Sequence, residues 1–457
     1  MSTTTDLLVR GATRLDAQIP VLADLDAYYQ GRSPLSYLSA RARDQLQKKI
    51  RGLTVNFPRL AVLSLAERMS VTGFRTAGTG PADQALWGVW TANDMQVASD
   101  EAHVELLALG KCFVIVWADG QGDPTISVES PRQVTVEYDP TTRRVVAAVK
   151  RFYVAEGNDR RAHAFVYEPH QITAFRAMAT SPADLTLPGG GFVPVEGWEQ
   201  VPQGSASAIP NPLGVVPVVP LVNRGRLLDV DGVSEMADLL DLSDALNKVV
   251  LDALVTSEFL SQPRRWATGL EIQEDEQGNP INPFATEGPE RVMQSESPDT
   301  KFGSFPSADL TGYRVLAETL TSQLAALAGL PPSYLGINTQ NPASADAIRA
   351  AEATLVARAI QKQRWLSGPW AQVMRLALAI QHGRPPSSFT VTTLWKDPST
   401  RTPAETADAV SKLVGAELLS REAGLEAMGY PPEDVALITS QLASEALRNV
   451  DLSRVLP

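Results

Sequence analysis

Four histidines, one cysteine and a few acidic clusters are the residues of this sequence whose types could carry chemistry, so their spacing decides what chemistry is open to it. His103, His163, His170 and His382 stand far apart. None falls in an HExxH or comparable spacing, so the pair of imidazoles one helical turn apart that holds a hydrolytic zinc is not encoded. His163 and His170 flank one β-rich run and read as surface or edge residues. Glu274, Asp275 and Glu276 are adjacent but lie beside the turn Gly278-Asn279-Pro280, and they do not follow the alternating ligand pattern of a calcium loop; a solvated loop is the better reading. Gly189-Gly190-Gly191 has no helix signal after it, and a phosphate cradle needs one so that backbone N–H groups and the helix dipole face the anion. The run reads as a flexible turn. No GxxxxGK[ST] is present, hence no P-loop motor. The pattern predicts no catalytic residue, no metal and no cofactor, and leaves a metal-dependent hydrolase or nuclease acting on DNA as the alternative reading.

Composition narrows the class further. The chain has 457 residues, of which 44% are hydrophobic and 20% charged, close to globular averages, and length alone suggests two to four folding units. No window reaches about 18 uninterrupted apolar residues, and residues 1–14 lack the regions of a signal peptide, so neither a membrane span nor export is expected. The single cysteine, Cys112, lies in the apolar run 112–117 that reads as a buried strand; no intrachain disulfide can form, and a reducing cytoplasm fits. With 52 acidic and 40 basic residues the formal net charge is −12. Tight nucleic-acid binding requires many cations against phosphates, so this balance opposes a dedicated nucleic-acid-binding module while leaving DNA open as passing cargo.

The elements that must position any site follow from periodicity. Residues 24–75 read as two packed helices around a polar turn at 31–34, with Leu60, Val62, Leu63, Leu65 and Met69 on one face; residues 81–109 add a further helical layer. Short β-rich runs then alternate with turn clusters: 112–117, 125–128, 134–138, 145–153, 163–167 and 171–176. They read as one meandering antiparallel sheet. A Gly-, Pro- and Ser-rich connection over 188–220 carries an apolar strand at 215–222. Next comes a helix with Met236, Leu239, Leu240, Leu246, Val250 and Leu254 on one side, stopped by Pro263. An insert of low helical character spans 264–306, and a second helix with Leu310, Tyr313, Leu316, Leu320, Leu324 and Leu327 ends at Gly329. Two rods of some 20–25 residues, roughly 30–40 Å long, thus bracket a non-helical knob, which makes a stalk. After the loop 331–342 a very long helix spans 344–381, where Gly368-Pro369 should bend it. A lone strand at 389–394 must find its sheet elsewhere, in the first half, and the tail reads as helices at 403–414, 420–428 and 433–448. The fold class is α+β, predominantly helical.

This order, and several stretches within it, resembles the portal proteins of long-tailed double-stranded DNA phages, particularly those of actinobacteria. The resemblance rests on Asn56-Phe57-Pro58-Arg59-Leu60 with Leu65-Ala66-Glu67-Arg68 and Gly73-Phe74-Arg75, and on Leu86-Trp87 through Trp90-Thr91-Ala92-Asn93-Asp94. Gly110-Lys111-Cys112-Phe113-Val114, Glu129-Ser130-Pro131-Arg132-Gln133 and Tyr138-Asp139-Pro140 continue it. Its strongest part runs from Leu330-Pro331-Pro332-Ser333-Tyr334-Leu335-Gly336 through Asn341-Pro342-Ala343-Ser344-Ala345-Asp346-Ala347-Ile348-Arg349 to Trp395-Lys396-Asp397-Pro398. None of these is a chemical motif; their ordered ensemble over nearly the whole chain carries the resemblance.

The resemblance implies a structural conduit rather than an enzyme. It implies a homo-oligomeric ring, usually a dodecamer, at one capsid vertex, through which DNA is packaged and ejected. Mapped by order, 1–232 is the wing, 233–262 the first stem helix, 263–307 the clip, 308–330 the second stem helix and 331–343 the tunnel loop. The long helix and returning wing strand occupy 344–398, and the helical crown 399–457. Implied partners are the terminase large subunit as packaging motor, a head-tail adaptor, the major capsid and scaffolding proteins, and double-stranded DNA as non-specific cargo, with no membrane. A head-tail adaptor or other minor capsid protein is the structural rival, disfavoured by length and by the stalk layout.

Two segments become candidate sites. Gly336, Ile337, Asn338, Thr339, Gln340 and Asn341 are small, polar and uncharged apart from the isoleucine, so they could touch a phosphate backbone weakly without reading bases; taken alone the segment reads as an interhelical turn with Asn-Pro punctuation, and the resemblance favours a DNA-facing tunnel loop. Arg264, Arg265 and Trp266 open the clip. An arginine pair beside an aromatic suits an acidic motor or adaptor surface or a neighbouring subunit, and equally suits a solvated charge run with one core tryptophan. For the charge itself, acidic channel walls that let DNA slide and ordinary surface solubility remain open together.

Overall fold

The computed structural model describes residues 3–32, 54–76, 82–156, 159–178, 197–201, 208–223, 226–260, 265–269, 277, 298–304, 310–336, 345–399 and 403–448. It divides into two compact units, one comprising Met1–Pro34, Thr54–Ser243 and Ser322–Pro457, the other Leu35–Leu53 and Asp244–Thr321. Each is described by itself.

The larger unit opens with α1 (Thr4–Tyr29), so helix begins some twenty residues before the periodicity at Asp24 suggested. Its start is fixed by a reciprocal cap: the Asp6 amide donates to Thr3 Oγ1 at 3.2 Å and the Thr3 amide to the Asp6 carboxylate at 2.9 Å. Leu8, Ala12, Leu15, Ile19 and Leu22 recur every three or four residues and are buried, which is the stripe a helix needs to pack on a core. Helix α2 (Phe57–Ala66) is shorter than expected. Met69 lies beyond it, and Val71–Thr76 is a strand, β1. The correction has a physical cause: Phe74 inserts fully buried against Trp90, ring centroids 5.0 Å apart, and β1 pairs antiparallel with a strand from the far end of the chain. That partner is β13 (Val391–Trp395), the lone strand that had to find a sheet in the first half. Helices α3 (Gln84–Ala92) and α4 (Met95–Leu109) follow as a helical layer.

The expected single meander is two sheets. Strand β2 (Lys111–Ala118) is the centre of a three-stranded antiparallel sheet, paired on one side with β3 (Pro124–Glu129) and on the other with β10 (Val218–Val222). Strands β4 (Val134–Tyr138), β5 (Val145–Glu156), β6 (Asp159–Tyr167), β7 (Gln171–Met178) and β8 (Glu199–Val201) form a second sheet, antiparallel in that order, with β9 (Ile209–Pro210) also on β7. The split is forced by burial on both faces. Phe113, Ile115 and Val218 of the first sheet pack on Val134, Val136, Ala148 and Ile172 of the second. On the other face Ala147, Val149, Val166 and Phe175 pack under Leu7 and Leu8 of α1. Ala147, Ala148 and Val149 therefore point alternately to opposite layers, the period of two that a strand imposes. Gly11 lets α1 come down onto this face, since a Cβ there would sit 2.5 Å from Val149 Cγ2. The fully buried Arg151 on β5 closes the same interface on Asp16 of α1 at 2.5 Å.

A second core ties β1, α3, α4 and β13 to α7 (Ala345–His382), the 38-residue helix that contains Pro369 without being interrupted. Trp90 meets Trp370 edge to face at 5.2 Å, and the Trp370 indole N–H donates to His103 Nε2 at 3.0 Å. His103 is fully buried, and that burial depresses its pKa to about 3. It is therefore a neutral core residue rather than a ligand. Because the folded pKa lies below the unfolded value, the unfolded chain binds the proton more readily, and stability falls as pH drops from about 6.5 towards 3. We expect a loss of up to roughly 2 kcal/mol between pH 7 and pH 5. Urea unfolding of the parent and of His103→Phe at both pH values checks this; equal pH slopes in the two would contradict it.

In the tail, α8 (Pro403–Gly415), α9 (Arg421–Ala427) and α10 (Pro432–Arg448) match the expected helices within two residues. No helix among the described residues is long and apolar enough to cross a membrane.

The smaller unit holds most of α5 (Leu240–Leu260) and most of α6 (Thr311–Ala328), the two expected rods, whose first and last turns respectively belong to the larger unit. Between them lie β11 (Arg265–Thr268) and β12 (Lys301–Ser304), paired antiparallel. Thr256 Oγ1 and the Tyr313 hydroxyl lie 3.3 Å apart and join the two helices.

Candidate functional site

Helix α7 turns one stripe inward along its first half: Glu352, Leu355, Ala359, Lys362 and Leu366, spaced three and four apart and all buried. Two of the five are charged, which is costly unless each finds a partner. Lys362 Nζ donates to Asn223 Oδ1 at 2.6 Å and pairs with the Glu235 carboxylate, both partners less than a tenth exposed. Arg358 donates to the other oxygen of Glu235 at 2.5 Å. Asn223 Nδ2 donates to Glu235 Oε1 at 2.9 Å and to the Val233 carbonyl at 2.6 Å. Burial alone would raise the Glu235 carboxyl, but Lys362, Asn223 and Arg358 outweigh it and hold the pKa below the ordinary value. For Lys362 burial prevails over Glu235, and its pKa lies below the usual lysine range.

The same arginine caps a second element. Arg358 Nη1 donates to the carbonyls of Ala328 and, at 3.3 Å, Leu327, two of the orphan acceptors at the C-terminus of α6. One residue of α7 thus holds Glu235, just ahead of α5, and the last turn of α6.

The segment after α6 is fixed by the other buried charge. Gly329 takes a left-handed φ of +64°, and a short 3₁₀ turn, Pro332–Leu335, ends at Gly336 with φ +75°. Within this turn the Tyr334 hydroxyl donates to Glu352 Oε1 at 2.9 Å, and Arg68 Nη2 approaches the same carboxylate at 3.3 Å. Burial, then the bond to Glu352, raises the Tyr334 pKa. Gln363 completes the anchor by donating to the carbonyls of Arg68 at 2.9 Å and Lys396 at 3.0 Å. The arrangement offers no nucleophile beside a base. Its chemistry is that of a mooring, which sets where the segment after Gly336 starts.

Of the sequence-predicted residues, Gly336 stands at this mooring, while Ile337, Asn338, Thr339, Gln340 and Asn341 lie outside the described residues. Arg264 also lies outside them. Arg265 and Trp266 are neighbours on β11, and Trp266 is 37% exposed rather than a core residue. Its ring covers Gly303 on β12, where a Cβ would come within 2.4 Å of it. The clusters at Gly189-Gly190-Gly191 and Glu274-Asp275-Glu276 lie outside the described residues. Among the described residues no three of His, Cys, Asp and Glu converge as a metal site would require. Cys112 is buried on β2, its thiol donating to the Ala102 carbonyl at 3.3 Å, and burial raises its pKa well above the ordinary value.

Sequence reading missed Asn223, Glu235, Glu352, Arg358 and Lys362. One signal was available: Glu352 and Lys362 fall on the apolar repeat of α7, where a solvated charge does not belong.

The profile of the family described as Phage portal protein, SPP1 Gp6-like, matches residues 12–439, which spans the mooring and both units. The chain belongs to the phage portal family. Relatives bear this out: the portal protein of Mycobacterium phage L5 is 33% identical over 429 residues, covering 90% of this chain and 82% of its own length. That of Mycobacterium phage D29 is 33% identical over 422 residues, covering 88% and 81%. Among solved structures, one titled Neck of empty GTA particle computed with C6 symmetry aligns over 82% of this chain and 89% of its own, at 13% identity and a TM-score of 0.46, a likeness too loose to assign any residue a role. As a portal protein the chain is a ring subunit of the virion, a structural component of the head-tail connector, placed at the capsid vertex.

Proposed function

We propose that copies of this chain close into a ring whose stem is built from α5 and α6, with 263–307 as the clip, 331–343 as the tunnel loop and 399–457 as the crown. The observation that carries this reading is the order helix, β-pair, helix within one compact unit, Asp244–Thr321, set in a chain whose family match runs almost end to end. Leu254, Val315 and Leu316 are about half exposed on those two helices, apolar surface that a neighbouring copy would cover. A usual portal complement of twelve fits the family.

In this ring DNA is a passing cargo. A net charge of −12 limits counterion-release affinity for phosphates and so limits friction, and Gly336, Ile337, Asn338, Thr339, Gln340 and Asn341 would brush the backbone without gripping it. Arg264, Arg265 and Trp266 would lie at the clip, where the packaging motor and then a head-tail adaptor dock; the half-exposed Trp266 suits such a contact. Capsid and scaffolding proteins would meet the wing, and assembly would take place in the host cytoplasm. ATP hydrolysis would belong to the motor, and this chain would act as no enzyme.

Negative-stain microscopy of the purified chain tests the reading. Closed rings with an axial hole are expected; monomers alone under all conditions would overturn it. A plasmid assay with divalent metal tests the alternative nuclease, for which no cleavage is expected.

A further inference from the structure

Residues 226–233, between β10 and α5, form a turn that is tied down on several sides. Asn223, at its root, donates its amide to the Gly110 carbonyl at 2.9 Å and accepts the Val233 amide at 2.9 Å. Lys111 Nζ holds Asp231 at 2.6 Å. Gly232, with φ +75°, lies so close to Gly110 that a Cβ would fall 2.0 Å from the Gly110 carbonyl oxygen. The Val230 amide closes the crest by donating to the Leu228 carbonyl at 2.9 Å. On this braced crest Leu227 and Leu228 stand 81% and 83% exposed. A slack loop would let two adjacent leucines fold down onto the protein; this one holds them out in water, which is unfavourable unless another surface receives them.

A receiving surface exists on the same chain. Trp117, Pro212, Leu213, Ala379, Ile380 and Arg384 are among the residues that line a cavity of about 230 Å³ between the end of β2 and the end of α7. An apolar cavity of roughly 150 Å³ already takes a benzene-sized guest, so a leucine side chain fits. Arg384 lies over the Phe389 ring at 5.5 Å and pairs with no carboxylate among the described residues. Asp229, beside the leucines, likewise has no cationic partner among them. The two patches are therefore complementary in apolar character and in charge, and the exposure of the leucines places them outside their own chain's cavity.

We infer that Leu227 and Leu228 of one copy seat in the Trp117–Ile380 cavity of the adjacent copy, with Asp229 meeting its Arg384. The inference rests on the ring reading, because a head-to-tail contact between two different patches is the kind that closes into a ring. It identifies one such contact by residue.

The test uses the full chain carrying Leu228→Cys together with Ile380→Cys, against each single variant and the parent. The one native thiol, Cys112, is fully buried and gives no background. Rings are first confirmed by microscopy and then oxidised. A ladder of covalent oligomers from the double variant alone is expected, together with at least ten-fold slower maleimide labelling of Leu228→Cys in rings than in monomers. Intact rings in which that cysteine labels as fast as in monomers would overturn the contact while leaving the ring reading standing. A parent chain that never forms rings would overturn the ring reading, and the contact with it. Leu228→Asp gives a second readout: monomers that melt with the parent but form at least ten-fold fewer rings support the contact, and an undiminished ring yield overturns it.

Discussion

Replacing Glu235 by alanine is expected to destabilise the subunit by about 3–5 kcal/mol, because it strips a buried cation of its partner. Lys362 is 9% exposed and would keep only the Asn223 amide oxygen and the face of Trp365, 4.8 Å from its ammonium, neither of which carries a formal charge. The loss should therefore come from the charge left behind more than from the bond removed. A double variant, Glu235→Leu with Lys362→Met, separates the two: replacing both members with apolar groups should recover much of the loss, as removal of a whole buried pair often does. Urea midpoints of the monomeric chains at pH 7 measure this. A single-variant loss under about 1 kcal/mol would mean that the pair behaves as a solvated surface bridge.

Trp370→Ala should cost a similar amount, about 3–5 kcal/mol, for a different reason. Its ring is wholly buried, lies edge to face against Trp90 and supplies the donor that His103 accepts, so truncation opens a cavity and orphans an imidazole nitrogen together. Trp370→Phe keeps an aromatic ring and most of the volume but loses the N–H and part of the bicycle; it should fall between parent and alanine. Thermal or chemical melts rank the three. Equal losses for phenylalanine and alanine would show that the hydrogen bond, rather than packing, dominates this core.

Much of the fold was legible because periodicity reports burial directly. The rods now seen as Leu240–Leu260 and Thr311–Ala328, the long helix and the tail helices all show an apolar stripe at helical spacing. Strands at 134–138 and 145–153 were visible through β-branched residues bounded by turns, the second running three residues further in the structure, to Glu156. Where local pattern was ambiguous, tertiary pairing decided. Val71–Thr76 follows a helical run without a breaker, and only the distant strand Val391–Trp395 makes it a strand. Whether successive strands share one sheet or two is likewise a matter of which faces are covered, which no hairpin signal states. The first helix was overlooked because Gly11 and Pro20 interrupt its pattern, although Gly11 is what allows close approach to Val149 and the helix runs through Pro20.

The site was less legible than the fold. Gly336 was singled out through its setting in the Leu330–Gly336 stretch, but the network around it draws on separated parts of the chain, around 68, 223–235, 334, 352–363 and 396. Convergence of that kind is created by folding and leaves no contiguous motif. Trp266 was assigned a surface or a core role with equal ease, because its exposure depends on Gly303, 37 positions away, leaving a flat strand for the indole to lie on.

Pro369 gives the long helix a single missing rung. Lacking an amide hydrogen, it leaves the Trp365 carbonyl without its helical donor, and one turn of the ladder is weakened there. On one side of that turn the ionic moorings at 352, 358 and 362 grip the rod; on the other, Trp370 is set in aromatic packing. Within that turn Ser367 makes up for the loss: its carbonyl accepts from the Thr393 hydroxyl at 2.9 Å and its hydroxyl from the Trp395 indole at 2.8 Å, so β13 splints the rod where its own ladder is incomplete. The splinted turn ends about seventeen residues, roughly 25 Å, along the helix from the mooring at Glu352, so the rod is held at both places.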